Sequence, residues 1–168
     1  YWNLDGSPST DGQRLQVLAD SFLPVDAAGL PAAPAPVAGT RLDLREAQAL
    51  GPDDRFDNNF CLAGAARAPA LAAILTGRRG VEMRIVTGAP GLQVYVGAGI
   101  GTSPWPGHGG LAYGPRAGVA LEPQFWPDAP GRPGFPPILL TPGTIWRQRT
   151  EWHFARPGLD HAARPALL

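Results

Sequence analysis

Residues 119–128, Val-Ala-Leu-Glu-Pro-Gln-Phe-Trp-Pro-Asp, gather the side chains that a sugar site needs. In an extended segment, Glu122, Gln124 and Trp126 project to one face, while Val119, Leu121 and Phe125 mostly take the other. A carboxylate on such a face can move a hydroxyl proton. An amide beside it can satisfy further hydroxyls, and a large ring can cover the apolar face of a pyranose. Pro123 has no N–H to give a ladder, so the segment reads as an edge strand, a bulge or a pocket rim. A lone Glu in a strand is more often a solvated surface residue, and these residues alone leave both readings open.

Two further clusters have the right chemistry. In 92–96, Gln93 and Tyr95 share a face and Leu92, Val94 and Val96 share the other. In 55–60, Asp57, Asn58 and Asn59 sit between Phe56 and Phe60, although a loop Asp is commonly a turn-former.

Other chemistries find little support. His108, His153 and His161 lack the close spacing of a helix-borne zinc motif, and no thiolate cluster supports them. The single cysteine, Cys61, rules out an internal disulfide and reads as a small core residue rather than a nucleophile. Gly97, Gly99 and Gly101 lack the dinucleotide fingerprint and a following helix. The 14 basic and 14 acidic residues cancel, so no global field draws the chain to nucleic acid or to an anionic membrane. All the basic residues are Arg, as expected of a GC-rich coding sequence. No apolar run approaches the ~18 residues of a membrane span. No export signal is visible, which makes a cytoplasmic location the default.

The elements that must hold these residues are short. With 22 Gly and 20 Pro among 168 residues, long helices are disfavoured, and turn signals such as Pro90-Gly91, Pro130-Gly131 and Pro142-Gly143 recur. The spacing predicts an all-β sandwich with strands in 14–22, 59–63, 71–75, 81–87, 92–96, 119–125 and 147–154. Residues 71–75 are ambiguous between strand and helix, a helical turn is predicted near 46–50, and 27–38 reads as an extended connection. In 147–154 the alternation puts Trp152 and Phe154 on one face and Glu151 and His153 on the solvated one. Tyr1-Trp2-Asn3-Leu4 reads like the interior of a protein, so the chain is expected to be a fragment, with a domain portion over 1–155 and a loosely ordered tail over 156–168.

Taken in order, these segments resemble the aldose 1-epimerase (galactose mutarotase) family. Tyr1-Trp2-Asn3-Leu4 is similar to the family's Tyr-Phe/Trp-Asn-Leu. Leu18-Ala19-Asp20 with Leu23-Pro24-Val25-Asp26, and Gly39-Thr40-Arg41-Leu42-Asp43-Leu44-Arg45, resemble its next two motifs. Phe56-Asp57-Asn58-Asn59-Phe60 is similar to Phe/Tyr-Asp-His-Asn-Phe, and Pro90-Gly91-Leu92-Gln93-Val94-Tyr95 to Pro-Gly-x-Gln-x-Tyr. Leu121-Glu122-Pro123-Gln124 with Pro127-Asp128-Ala129, and Leu140-Thr141-Pro142-Gly143, complete the series.

The resemblance implies a large antiparallel β-sandwich of which this chain is the C-terminal half, with the missing N-terminal half as its partner. It implies interconversion of the α and β anomers of a free aldose of the glucose or galactose type, with a monosaccharide as substrate and neither metal nor nucleotide required. Carried over residue by residue, Glu122 is the base on the anomeric hydroxyl, and Asp57 and Gln93 bind sugar hydroxyls. Tyr1 lies at the substrate's edge. The acid, a His two residues before the Tyr of the first motif, falls just upstream of Tyr1, and His108 is a remote stand-in. The fragment alone is therefore expected to be inactive or weakly active. Alternatives are a non-catalytic sugar-binding remnant and a hexose-6-phosphate epimerase, for which Arg55 is the nearby cation. Asn58 stands in place of the family's His, Gly88-Ala89 replaces the usual Thr-Asp-x-Pro lead-in, and Gly97-Ala98 stands where Gly-Asn is common.

Overall fold

The computed structural model describes residues 1–157. They form β1 (Arg14–Val17), β2 (Ser21–Phe22), β3 (Ala35–Pro36), β4 (Gln48–Ala49) and β5 (Asp57–Cys61). Then follow β6 (Ala70–Thr76), β7 (Glu82–Thr87), β8 (Gly91–Tyr95), β9 (Ala120–Gln124) and β10 (Thr150–Ala155), with two short 3-10 turns. One antiparallel sheet runs β10-β7-β6-β1-β4 and the other β3-β2-β5-β8-β9.

The period of two in the sequence explains the layering. In β1, β6 and β7, Leu15, Val17, Ala73, Leu75, Met83 and Ile85 turn inward. They meet Phe60, Leu92, Val94, Val96, Val119 and Leu121 from the opposite sheet in one core. Burying each such large aliphatic or aromatic side chain contributes about 1.5–3 kcal/mol. Because the odd positions of β9 and the even positions of β8 fill that core, Glu122 and Gln93 must leave on the outer face.

Several sequence expectations change in detail. The run 14–22 is two strands, because the chain crosses from one sheet to the other at 18–20, where Leu18 and Asp20 are exposed. The ambiguous 71–75 run is strand β6, with a register shift between Leu71 and Ala73. The helical turn near 46–50 is replaced by the two-residue strand β4, which pairs with β1. In the connection 27–38, β3 pairs with β2, and an isolated bridge joins Val25 to Pro31. The last strand starts at Thr150 rather than near 147, since β7, its only neighbour among the described residues, ends at Thr87. Trp152 and Phe154 do share the face of Ile85 and Met83, yet they remain 42% and 54% exposed, because among the described residues that end of the sheet is only partly covered, by Trp2 against Phe154. Most of the expected tail, including His161, lies outside the described residues.

Cys61 is a correction. Its neighbour Phe60 is the core residue, and alternation sends the thiol to the outer face, where it is half-buried. Burial pushes its pKa up to about 11, against a smaller opposing hydrogen bond with Ser21, so it is a thiol and not a thiolate at neutral pH.

Candidate active site

The outer face of β5, β8 and β9 carries the polar residues singled out above in two cross-strand rows. In the first, Asp57 stands opposite Tyr95 and Tyr95 opposite Ala120. The antiparallel bridge between Trp2 and Val119 brings Tyr1 level with Ala120. Ala120 is small, so the Tyr1 and Tyr95 rings meet over it edge to face, with centroids 6.3 Å apart. In the second row, Asn59 stands opposite Gln93 and Gln93 opposite Glu122. Directly opposed residues have Cβ atoms about 4.5–5.5 Å apart, so each row is a contiguous strip.

The two rows are linked by a diagonal hydrogen bond: Gln93 Nε2 donates to Asp57 Oδ1 at 2.6 Å. Glu122, Asp57 and Tyr1 are exposed, and Gln93 and Tyr95 are half-buried. The face is open. Two cavities elsewhere, of about 760 and 300 Å³, are lined by other residues, the larger along the 40–56 connection and the smaller around Cys61 and Trp126. Neither encloses Asp57, Gln93 or Glu122, and these three occupy an uncovered sheet surface rather than a closed hollow.

The position of Tyr1 is secured from below. Asn3 Nδ2 donates to the carbonyls of Ser7 and Ala117, and the wholly buried Gln13 donates to Asn3 Oδ1 while accepting from the Leu4 N–H. Trp2 turns inward against Phe154, with ring centroids 5.5 Å apart. The short motif at the chain's start is therefore a clamp that fixes Tyr1 beside β9. Tyr95, which sequence reasoning placed on the right face without giving it a role, is held by its hydroxyl accepting the Gly99 N–H at 2.6 Å.

Trp126 is not the sugar platform expected of it. It is 8% exposed, its indole N–H donates to the Pro90 carbonyl at 2.9 Å, and Phe135 packs on it edge-on. The accessible aromatic rings of this face are Tyr1 and Tyr95. Gly91 makes the arrangement possible, because a Cβ there would lie 2.6 Å from Asn59 Oδ1 and 2.9 Å from Trp126 Cδ1.

Two of the departures from the family pattern, at Asn58 and Gly88, have structural explanations, and nothing in the structure explains Ala98. Asn58 points to the face opposite Asp57 and donates to the Leu23 carbonyl at 3.2 Å, tying β5 to the end of β2. A Cβ at Gly88 would collide with the Arg67 carbonyl, and its N–H donates to the Arg149 carbonyl. Arg55 directs its guanidinium to the carbonyls of Pro52 and Asp54. His108 is exposed in a 3-10 turn, where its backbone N–H donates to the Tyr113 hydroxyl. Among the described residues there is no group of three or more His, Cys, Asp or Glu able to hold a metal, and no helix is long and apolar enough to cross a membrane.

Comparison with known proteins gives a consistent result. The aldose 1-epimerase family pattern matches residues 1–153. Human galactose mutarotase is 37% identical over 165 residues, covering 92% of this chain and 48% of that protein. The aldose 1-epimerase of Escherichia coli is 35% identical over 169 residues, with the same coverage. The crystal structure of an aldose epimerase homologue from C. elegans superposes with a TM-score of 0.82 at 29% identity, over 93% of this chain and 49% of that one. The chain spans about half the length of the curated relatives it matches.

Proposed function

This chain belongs to the aldose 1-epimerase family, and we propose on that basis that it carries the base and the sugar-binding half of a mutarotase site. In this reading Glu122 takes the proton from the C1 hydroxyl of a free aldose while an acid protonates the ring oxygen. The ring opens to the aldehyde. Rotation about C1–C2, followed by reversal of both proton transfers, closes it with the opposite configuration. Asp57 and Gln93 receive sugar hydroxyls, and Tyr1 and Tyr95 border the ring. The reaction is proton transfer throughout, so its whole demand is a base, an acid and a surface that holds the pyranose between them.

The observation that carries this reading is the row Glu122–Gln93 with Asp57 hydrogen-bonded across to it. The same register supports a place for the acid. If the Trp2–Val119 pairing is continued outward, the residue before Tyr1 stands opposite Leu121, and the one before that stands opposite Glu122 on the site face. That is the position where the family resemblance calls for a His. Each positioned acid or base contributes on the order of 10²–10⁴-fold, about 3–5 kcal/mol of barrier. The 168-residue chain is accordingly expected to be weak alone.

The test is optical: the rate at which α-D-galactose or α-D-glucose relaxes to anomeric equilibrium. It should be measured with the chain alone and with the chain joined to the other half of the family fold. Acceleration by the joined protein supports the reading, and relaxation at the buffer rate in both cases would refute it.

A further inference from the structure

Among the described residues, one buried side-chain polar atom has no hydrogen-bond partner: Oδ1 of Asn59, in a residue 2% exposed. A buried acceptor left unsatisfied costs about 1–3 kcal/mol, so its retention asks for a partner that arrives in another state. The other end of the amide fixes its orientation. Nδ2 donates to the Phe60 carbonyl at 3.3 Å, and a flip would set oxygen against oxygen.

The location of this oxygen limits which groups can pair with it. Asn59 stands directly opposite Gln93. Its Oδ1 lies over Gly91, two residues before Gln93 on the same face. Gln93 meanwhile reaches the other way along β5, to Asp57. Gln93 thus donates to an exposed carboxylate on one side, while the residue directly across the ladder from it holds a buried carbonyl oxygen with no partner.

We propose that Asn59 is a positioning residue, which takes over the Gln93 amide when a polyol claims the Asp57 carboxylate. This rests on the reading of Asp57 and Gln93 as sugar-binding groups. The Gln93 N–H occupies one lone pair of Asp57 Oδ1, on the side that faces the sugar row, and a diol hydroxyl approaching from that side competes with it. Moving that N–H to Asn59 Oδ1 frees the carboxylate, satisfies the buried acceptor and keeps the Gln93 amide over the second row, beside Glu122. The exchange breaks one hydrogen bond within the protein and makes another, so the cost of freeing Asp57 is largely offset.

The first test needs no sugar. Asp57→Ala removes the exposed acceptor at the start of a strand and leaves the core untouched. A crystal structure of this variant should show Gln93 Nε2 within hydrogen-bond distance of Asn59 Oδ1. A Gln93 amide turned to solvent, with Asn59 Oδ1 still vacant, would overturn the proposal. The second test is kinetic. Asn59→Leu should raise KM for the aldose about tenfold with kcat little changed, and should add nothing in a Gln93→Ala background. Equal effects in both backgrounds would make Asn59 merely structural and also overturn the proposal. A protein with no mutarotase activity at all would instead refute the sugar reading, and the Asp57→Ala geometry would still decide the role of Asn59.

Discussion

Glu122 stands directly opposite Gln93 in the β8–β9 ladder, and the Gln93 amide in turn donates to Asp57, so three residues far apart in sequence form one continuous polar strip. The strip depends on strict alternation in both strands. A shift of one residue in β9 would send Glu122 into the core and Leu121 to solvent.

Gln93→Ala removes the link between the two rows without touching the core. The expected outcome is a ten- to hundredfold higher KM for the aldose, matching the about 1.5–3 kcal/mol of a hydrogen bond to a charged group, with a smaller change in kcat. Initial-rate polarimetry over a range of aldose concentrations would check this.

Gly91→Ala places a methyl group against Asn59 Oδ1 and the Trp126 ring edge. Both neighbours are buried and have little room to yield, so a loss of about 1–3 kcal/mol is expected. Urea unfolding would show a lower midpoint at unchanged slope.

Asp5 anchors the opening segment. Burial by itself would raise its pKa, but the N–H groups of Arg78 and Arg79 and the Arg78 guanidinium outweigh this and hold it below its ordinary 3.8. A depressed carboxylate contributes stability that is complete above its unfolded-state pKa and is lost as pH falls through the native value. Asp5→Asn should therefore cost about 2–3 kcal/mol at neutral pH and flatten the loss of stability below about pH 4. Thermal melts at stepped pH would test both effects.

The uncovered apolar surface near β10 predicts the behaviour of the chain by itself. Ile145, Trp146 and Trp152 are 78%, 58% and 42% exposed, and such surfaces drive association. The 168-residue chain is expected to sediment as an oligomer or aggregate, and Ile145→Ser with Trp152→Ser should shift it toward monomer. A wild-type chain that sediments as a clean monomer would contradict this.

Much of the architecture could be read from residue types alone. The period of two in 81–87, 92–96 and 119–125 gave the inward faces of three strands, and with them the shared face of Gln93 and Tyr95. The limits of β1 and β2 could not be read, because the chain crosses between sheets without any Gly or Pro in 14–22. The two-residue β4 was missed because so short a pairing is set by its neighbour β1 and not by its own sequence. In the candidate site, Glu122 and Gln93 came from alternation and motif together, whereas Asp57, read as a loop residue, came from the motif alone and is the first residue of β5. Asn59 was read as the first residue of a strand but not as a buried one, since its burial is created by Gly91 of β8 and by Trp126 beyond the end of β9. Trp126 was misjudged for the same reason: its indole N–H finds a backbone carbonyl 36 residues away.

The most direct test of the whole account is the relaxation of α-D-galactose by the protein joined to the other half of the family fold, compared with its Glu122→Gln variant. The amide keeps the shape of the side chain and removes its basicity. The account predicts a fall in kcat of roughly 10²–10⁴-fold with KM nearly unchanged. Equal relaxation rates for the two proteins would contradict it.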